Sequence, residues 1–473
     1  MSAPESVPGS APGAAGDDRT ARIDALIERE QARFRQSHPR AAAAWEEGQQ
    51  HFLYGAPSHW MRRWAGGFPV YVAEAQGARI VDIDGRDYVD FCLGDTGGMC
   101  GHASEPVTRA AVRQLQRGAT TMLPTLDSLW VGAELARRFG LPYWTLTTSA
   151  TDANRGAIRI ARMITGRDRV LVFSGCYHGG VEEAHVEIRE GRVGLRNMIH
   201  PNGVDHEAVS RVVEFNDIAA LEAALAEGDI ACVLTEPLMT NFGMIPVADG
   251  FHAALRAATR RAGTLLVIDE THTISCGPGG YTALHGLEPD ILVAGKAIAG
   301  GVPAGIFGVS AAVAERMWAQ VPRTNPKHRQ SAHLGIGGTL AGNALTVATM
   351  RAVLEEVLTP DAFARMTACA GRLAAGAAAV IAEHALPWHV TRIGARAEIM
   401  FSPAPPACGA DVIAGRDPGL ETLLHAFYMN EGVLVTPFHT MFLCCPATTD
   451  ADVDRHTAVF RRFVALLRQE GLA

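Results

Sequence analysis

Apolar positions along this chain follow two different rhythms. From Thr20, the residues Ile23, Leu26, Ile27 and Phe34 recur at helical spacing and predict an amphipathic helix. The run "ARIVDIDGRDYVDF" alternates around Asp-Gly as a hairpin does. The middle of the chain carries short β-branched runs: "YWTLTT" (143–148), "RVLVFSG" (169–175), "IACVLTEP" (230–237), "TLLVIDE" (264–270), "ILVAG" (291–295) and "AGIFGVS" (304–310). Most are separated by helix-like segments such as 152–164 and 250–262. A strand with one wet face alternates, whereas near-continuous apolar runs mark parallel strands buried on both faces. The pattern predicts an α/β fold with a mostly parallel central sheet.

After about residue 345 the strands thin out and helical stretches dominate. The last helix is announced by Thr449 and Asp452, three apart like a capping box, and by the stripe Val453, Thr457, Phe460, Phe463 and Leu467. The expected organisation is a tail over 1–19, a helix and hairpin over 20–95, a large domain over 96–345 and a C-terminal segment over 346–473. The first and last structured segments form one smaller α+β domain built from both chain ends.

Composition narrows the partners. The chain has 473 residues, 48% hydrophobic and 19% charged, with a formal net charge of -8. No long basic run is present, which disfavours nucleic acid or an anionic membrane and leaves small molecules. The opening "MSAPESVPGSAPGAAGDD" has neither a basic start nor an apolar core, so it reads as a disordered tail without a secretion signal. No stretch is expected to reach the roughly 20 apolar residues of a spanning helix. Nine scattered cysteines, an odd number without a C-x-x-C pair, suit reduced thiols in the cytoplasm and no metal site.

One residue choice stands out chemically. Lys and Arg together number 42, yet only two are lysines, Lys296 and Lys327. Guanidinium keeps its proton at any useful pH, whereas an ε-amine can lose it and act as nucleophile, base or imine partner. Lys296 also falls just after an apolar run, and in open parallel sheets ligands bind at the carboxyl ends of strands. Other chemistry sits at equivalent places: Asp269 and Glu270 after "TLLVI", "CYHGG" after "RVLVFSG", and "SATDAN" after "YWTLTT". The turn "TSATDAN" offers hydroxyls and free amides at a helix start, which suits a phosphate, although Ser, Thr and Asp are also ordinary N-caps. A cofactor with a phosphate, a heteroaromatic ring and an aldehyde would use the turn, Tyr177, Asp269 and Lys296 together.

The segments "TSATDAN", "FSGCYHGG", "TEPLMTNFGMIP", "LLVIDETHT", "PDILVAGKAIAGGVPAGIFG" and "GGTLAGNAL" resemble, in order and spacing, the class-III aminotransferases of pyridoxal phosphate fold type I. The likeness runs from about residue 50 to the C-terminus. It is closest to the branch of β-amino acid and amine transaminases and glutamate-1-semialdehyde aminomutase. It implies that Lys296 forms a Schiff base with pyridoxal 5'-phosphate and that Asp269 partners the ring nitrogen. It further implies Tyr177 on the ring face, His178 packed nearby, and Ser149, Ala150 and Thr151 around the phosphate. Thr339 would reach the phosphate from a second subunit, which requires a homodimer with shared active sites. Glu236 either orients the site, meets substrate charge or makes a structural hydrogen bond.

Several family positions differ. Ala150 and Asp152 stand for the usual glycine and glutamate of the phosphate turn. Thr271 stands for a valine that packs under the ring, with its hydroxyl free for the cofactor's 3-oxygen or a backbone group. In β-amino acid relatives an arginine before the "FP" of the N-terminal hairpin, or in the C-terminal strand, takes a carboxylate as a bidentate partner. Here "YGAPSHWMRRWAGGFP" has His59 and Trp60 near that place, with Arg62 and Arg63 later as solvated charges. "LVTPFHTMFLCCP" has Phe438 and His439 and no arginine. Trp60, Trp64, Phe438 and Met441, with Arg62 at the edge, are then expected to line an apolar pocket. Lys327 and His333 lie in the loop before Thr339, with Lys327 read as an exposed charge.

The expected activity is a transaminase moving an amino group between an amine or β-amino acid with an apolar or aromatic substituent and a keto acceptor. The alternative is an aminomutase of the glutamate-1-semialdehyde type, which shuffles the group within one molecule. Both need the same lysine and acid. Lys296→Arg is expected to abolish turnover and Asp269→Asn to lower it by about 10² or more in steady-state assays; near-parental rates in either variant would contradict the assignment.

Overall fold

All six apolar runs are strands of one sheet in the computed structural model, which describes residues 14–196, 199–321 and 334–473. The strands are β1 (Tyr143–Thr147), β2 (Arg169–Phe173), β3 (Ser210–Val213), β4 (Ile230–Thr235), β5 (Leu265–Asp269), β6 (Ile291–Gly295) and β7 (Gly305–Val309). Their order is β1-β7-β6-β5-β4-β2-β3. Only β7 runs against its neighbours. Every residue of β4 to β7 is buried, which is why these runs lack the alternation of a half-wet strand. The strand that sequence reading missed is β3, whose four residues include the polar Ser210 and Arg211.

Because β1, β2, β4, β5 and β6 are parallel, their carboxyl ends share one edge of the sheet. Ser149 follows β1 and caps the helix Ala150–Thr165, its side chain accepting from the Asp152 amide. Gly166 ends that helix in the left-handed region at φ 69°. The helix packs on β7 and β6.

Both chain ends meet in the remaining structure. A second sheet joins Val72–Gln76, Arg79–Asp82 and Asp87–Asp90 to the C-terminal pair Val433–Leu434, which runs parallel to Asp87–Asp90. The helix Ala14–Ser37 lies on the helix Pro418–Asn430, and the Asn430 amide donates to Glu30 at 2.8 Å. A three-stranded antiparallel sheet, His389–Ile393, Arg396–Met400 and Met441–Leu443, completes this part. The terminal helix Asp450–Gln469 carries the expected capping box between Thr449 and Asp452.

Two expectations need correction. The first helix starts at Ala14, inside the stretch assigned to the tail, while residues 1–13 lie outside the described residues. One helix, Pro360–Glu383, is long and apolar enough to cross a membrane by length and composition. Its alanine-rich sequence explains this, and it turns Phe363, Met366, Leu373 and Val380 into the core while packing against Asp450–Gln469.

Strand β7 crosses so close to the turn after β1 that a Cβ on Gly305 would lie 2.1 Å from the Ser149 carbonyl oxygen. Backbone cannot yield as a side-chain tip does. Gly305→Ala is expected to cost about 1–3 kcal/mol, seen as a lower melting temperature; an unchanged melt would mean the turn moves freely.

Candidate active site

The carboxyl edge of the sheet opens into a cavity of about 410 Å³ lined by Ser149, Ala150, Thr151, Tyr177, His178, Glu236, Asp269, Thr271, His272 and Lys296, among others. Each comes from the residue ending or just following a strand. Asp269 ends β5, Glu236 follows β4, and Lys296 follows Gly295 of β6. Lys296 itself has a left-handed backbone at φ 50°, unusual for a residue with a side chain.

Asp269 is 4% exposed and is hydrogen-bonded at both oxygens. One oxygen accepts from Asn154 at 2.8 Å and from Nδ1 of His178 at 2.9 Å. The other accepts the Thr271 amide at 3.0 Å and the Thr271 hydroxyl at 2.5 Å. Burial opposes its charge, but the hydrogen bond and charge of His178, with Thr271 and Asn154, hold the carboxyl below its usual range. For His178, burial works against the proton while Cys176 and Asp269 favour it, and the balance raises its pKa to about 10. The Thr271 hydroxyl therefore goes to Asp269, which corrects the expectation that it is free for a cofactor oxygen or a backbone group.

The turn after β1 uses its hydroxyls internally. Ser149 caps the helix, and Thr151 Oγ1 accepts the Gly180 amide at 3.1 Å. What remains for an anion are the Ala150 and Thr151 amides, which open the helix and have no partner within it. Glu236 is buried, and burial raises its pKa. Its Oε2 accepts the amide and hydroxyl of Thr240 at 3.0 and 2.5 Å, while Oε1 has no partner among the described residues. These groups fit a ring with a phosphate arm: open amides at one end, an ionised carboxylate at the other, an aromatic face at Tyr177 and an amine between.

Two residues here, Asp95 and His272, were not singled out as site residues by sequence reading. Asp95 Oδ2 lies 2.6 Å from Lys296 Nζ. Nε2 of His272 also meets Nζ, and its Nδ1 meets Thr240 Oγ1 at 2.9 Å. Arg396, without exposed surface, donates to the His272 carbonyl oxygen at 3.1 Å and to Thr96 Oγ1. Asp95 sits some 200 positions from Lys296 in a Gly-rich loop, and no local pattern announces such a contact. His272 was visible in "LLVIDETHT" beside Thr271.

The substrate-side residues divide. Trp60 packs on Tyr177 with ring centroids 6.0 Å apart and on Phe438 at 5.3 Å. Arg62 is exposed over Tyr54, away from the pocket, because it ends the short turn His59–Arg62 on its outer side. Met441 is core: it is 1% exposed, clusters with Leu238, Met244, Tyr281 and Ile393, and its sulfur accepts from Arg396 at 3.2 Å. Both corrections have the same cause, since a linear stretch does not reveal which side of a turn or strand faces the cavity. Thr339 is exposed and lines no part of this cavity. Lys327 and His333 lie outside the described residues.

The chain belongs to the aminotransferase class-III family, whose sequence profile matches residues 60–464. It is a pyridoxal phosphate enzyme with the fold type I architecture. It is similar to a crystal structure of a glutamate-1-semialdehyde-aminomutase from Pseudomonas aeruginosa PAO1, with 56% identity and a TM-score of 0.93 over 94% of this chain and 99% of that one. It is 28% identical to a β-phenylalanine aminotransferase from Variovorax paradoxus, with a TM-score of 0.82 over 94% of this chain and 98% of that one. Among curated proteins, a glutamate-1-semialdehyde 2,1-aminomutase from Thermomicrobium roseum is 32% identical, covering 90% of this chain and 98% of its own. These names favour the aminomutase alternative over the transaminase expected from sequence.

The His178 pKa of about 10, against an ordinary 6.5, fixes a pH dependence. A group raised in the folded state stabilises most below its unfolded pKa and loses that contribution as pH rises through its folded one. The melting temperature is therefore expected to fall between about pH 6.5 and about pH 10. His178→Gln should flatten that stretch, and an identical pH profile in the variant would refute the pairing.

Proposed function

We propose that this enzyme is an aminomutase of the glutamate-1-semialdehyde 2,1 type, moving an amino group within one small carboxylated molecule. The observation that carries this reading is the 56% identity over 94% of the chain to a structure bearing that name. Bound pyridoxal phosphate supplies an aldehyde that takes the substrate nitrogen and a protonated ring that draws off electrons from the neighbouring carbon.

The chain's residues have matching tasks. The Ala150 and Thr151 amides, with Ser149 shaping the turn, hold the phosphate. Asp269 keeps the ring nitrogen protonated, and its own charge is secured by His178, Asn154 and Thr271. Tyr177 and Thr271 flank the ring, and Glu236 shapes the substrate side. Lys296 Nζ would hold the cofactor's aldehyde carbon, and as a free amine it would supply the base that moves a proton at the reacting carbons.

Arg63 supports a carboxylated substrate. Sequence reading took it for a solvated charge, but its guanidinium lies 5.3 Å from the Trp60 ring centroid and 5.4 Å from that of Phe438. No carboxylate pairs with it among the described residues, so it stands at the aromatic wall ready for a substrate acid. The working unit is proposed to be a cytoplasmic homodimer, with the exposed Thr339 of one copy reaching the phosphate of the other. Nine unpaired cysteines suit a reducing compartment.

A transaminase for amines or β-amino acids with aromatic substituents is the second reading, favoured by the wall of Trp60, Phe438 and Tyr177. The two part on stoichiometry. Given a single amino aldehyde and no keto acid, the loaded enzyme is expected to yield the isomeric amino compound one for one, followed by chromatography. Product formed only when a keto acceptor is added would establish the transaminase instead.

A further inference from the structure

Two acceptors from different loops converge on the Lys296 nitrogen, Asp95 Oδ2 at 2.6 Å and Nε2 of His272. Both loops are held in place. Asp95 and Thr96 have left-handed backbones at φ 49° and 84°, which side-chain-bearing residues keep only where surrounding structure enforces them. The enforcing group is Arg396: it donates to Thr96 Oγ1 on one loop and to the His272 carbonyl oxygen on the other, with Ser275 Oγ at 2.9 Å. One buried guanidinium thus sets the spacing of both acceptors.

The hydrogen-bond chain also sets the His272 tautomer. Thr240 donates its hydroxyl to Glu236 Oε2 at 2.5 Å, so its oxygen accepts from His272 Nδ1–H at 2.9 Å. Nε2 is left as a bare acceptor turned to Lys296. Asp95 keeps further capacity, since its Oδ1 is buried without a partner among the described residues. A carboxylate oxygen and a bare imidazole nitrogen around one point accept from two of the three donors of a primary ammonium.

We propose that Asp95 and His272 Nε2 form an ammonium cradle with two successive occupants: the Lys296 amine when it is free, and the protonated primary amine of the incoming substrate when Lys296 is bound to the cofactor. Asp95 is then a substrate-binding residue in its own right. The inference rests on Lys296 being the cofactor lysine and holds for either proposed reaction. The exchange balances. The incoming nitrogen gives up two protons as it forms its new carbon bond, and Lys296 gains two as its own carbon bond breaks. The cradle holds one positive charge before and after.

Charged groups face this point from several elements. Lys296, His272 and His439 act on Asp95; Lys296, Asp95 and Arg396 act on His272; Tyr177 feels Asp95; Asp269 and His178 neutralise each other farther along the cavity. Burial, then the Lys296 charge, lowers the His272 pKa to about 3, so the imidazole adds no charge. Asp95 is the net counter-charge for an ammonium held at this point.

The test uses holoenzyme loaded with pyridoxal phosphate, its visible absorbance followed against pH and against methylamine as the probe ammonium. Asp95→Asn is expected to lower the pH midpoint by about one unit or more and to raise half-saturating methylamine by about tenfold, with Asp95→Glu recovering most of both. Midpoint and saturation unchanged in Asp95→Asn would overturn the cradle. Should that variant fail to fold, His272→Leu, which removes the other acceptor, must raise half-saturation, and no rise would overturn it equally. Borohydride reduction and peptide mapping of the parent enzyme separate the premise: cofactor found off Lys296 would overturn the lysine assignment beneath the proposal.

Discussion

The site turns on one carboxylate withdrawn from water. Asp269 is almost wholly buried, and a buried charge without partners costs several kcal/mol, on the order seen for uncompensated ions in protein interiors. Its partners come from three places in the chain: Asn154 on the helix after β1, His178 in the turn after β2, and Thr271 just past β5 itself. Satisfying the carboxylate therefore docks those three segments against one another. The open amides of Ala150 and Thr151 and the Tyr177 ring lie on two of those same segments, so charge compensation and site geometry are one requirement.

A second buried charge does similar work on the opposite side. Arg396 has no exposed surface and no ion pair among the described residues, and it spends its donors on Thr96, His272, Ser275 and the Met441 sulfur. Burial disfavours its charge and holds its pKa below the usual range, with the fields of Asp95 and neighbouring groups opposing it only in part. The result is a rigid crossing between the small three-stranded sheet and the strand ends of the large one. Lys296 sits at that crossing in a left-handed conformation, which places its amine between Asp95 and His272.

The proposed substrate side follows a different logic, in which aromatic rings hold charge. Trp60, Phe438 and Tyr177 form a wall that by itself suits an apolar group. Arg63 over Trp60 and Phe438 changes its character, because a guanidinium can stack on a ring and still offer its donor fork outward. This is how the proposed reading reconciles an aromatic wall with a carboxylated substrate.

The sheet was legible in sequence because strands buried on both faces must be apolar at every position, as in "TLLVIDE" and "ILVAG". Parallel strands put their carboxyl ends on one edge, so Asp269, Lys296, Tyr177 and the turn at Ser149 could be gathered without coordinates. The rarity of lysine singled out Lys296 on chemical grounds alone. β3 stayed hidden because four residues with Ser and Arg among them carry too little hydrophobic signal. Met441, and Arg62 as a pocket-edge residue, were misplaced because the facing of a short turn or a packed strand is decided by what lies against it, while the exposure of Arg62 agrees with its reading as a solvated charge. The Asp95 contact with Lys296 joins loops about 200 residues apart and depends on backbone angles that propensity disfavours. Local sequence set the elements and the reacting groups; which polar groups neutralise them was decided only by tertiary packing, since buried charge can be satisfied from any part of the chain that the fold brings within hydrogen-bond reach.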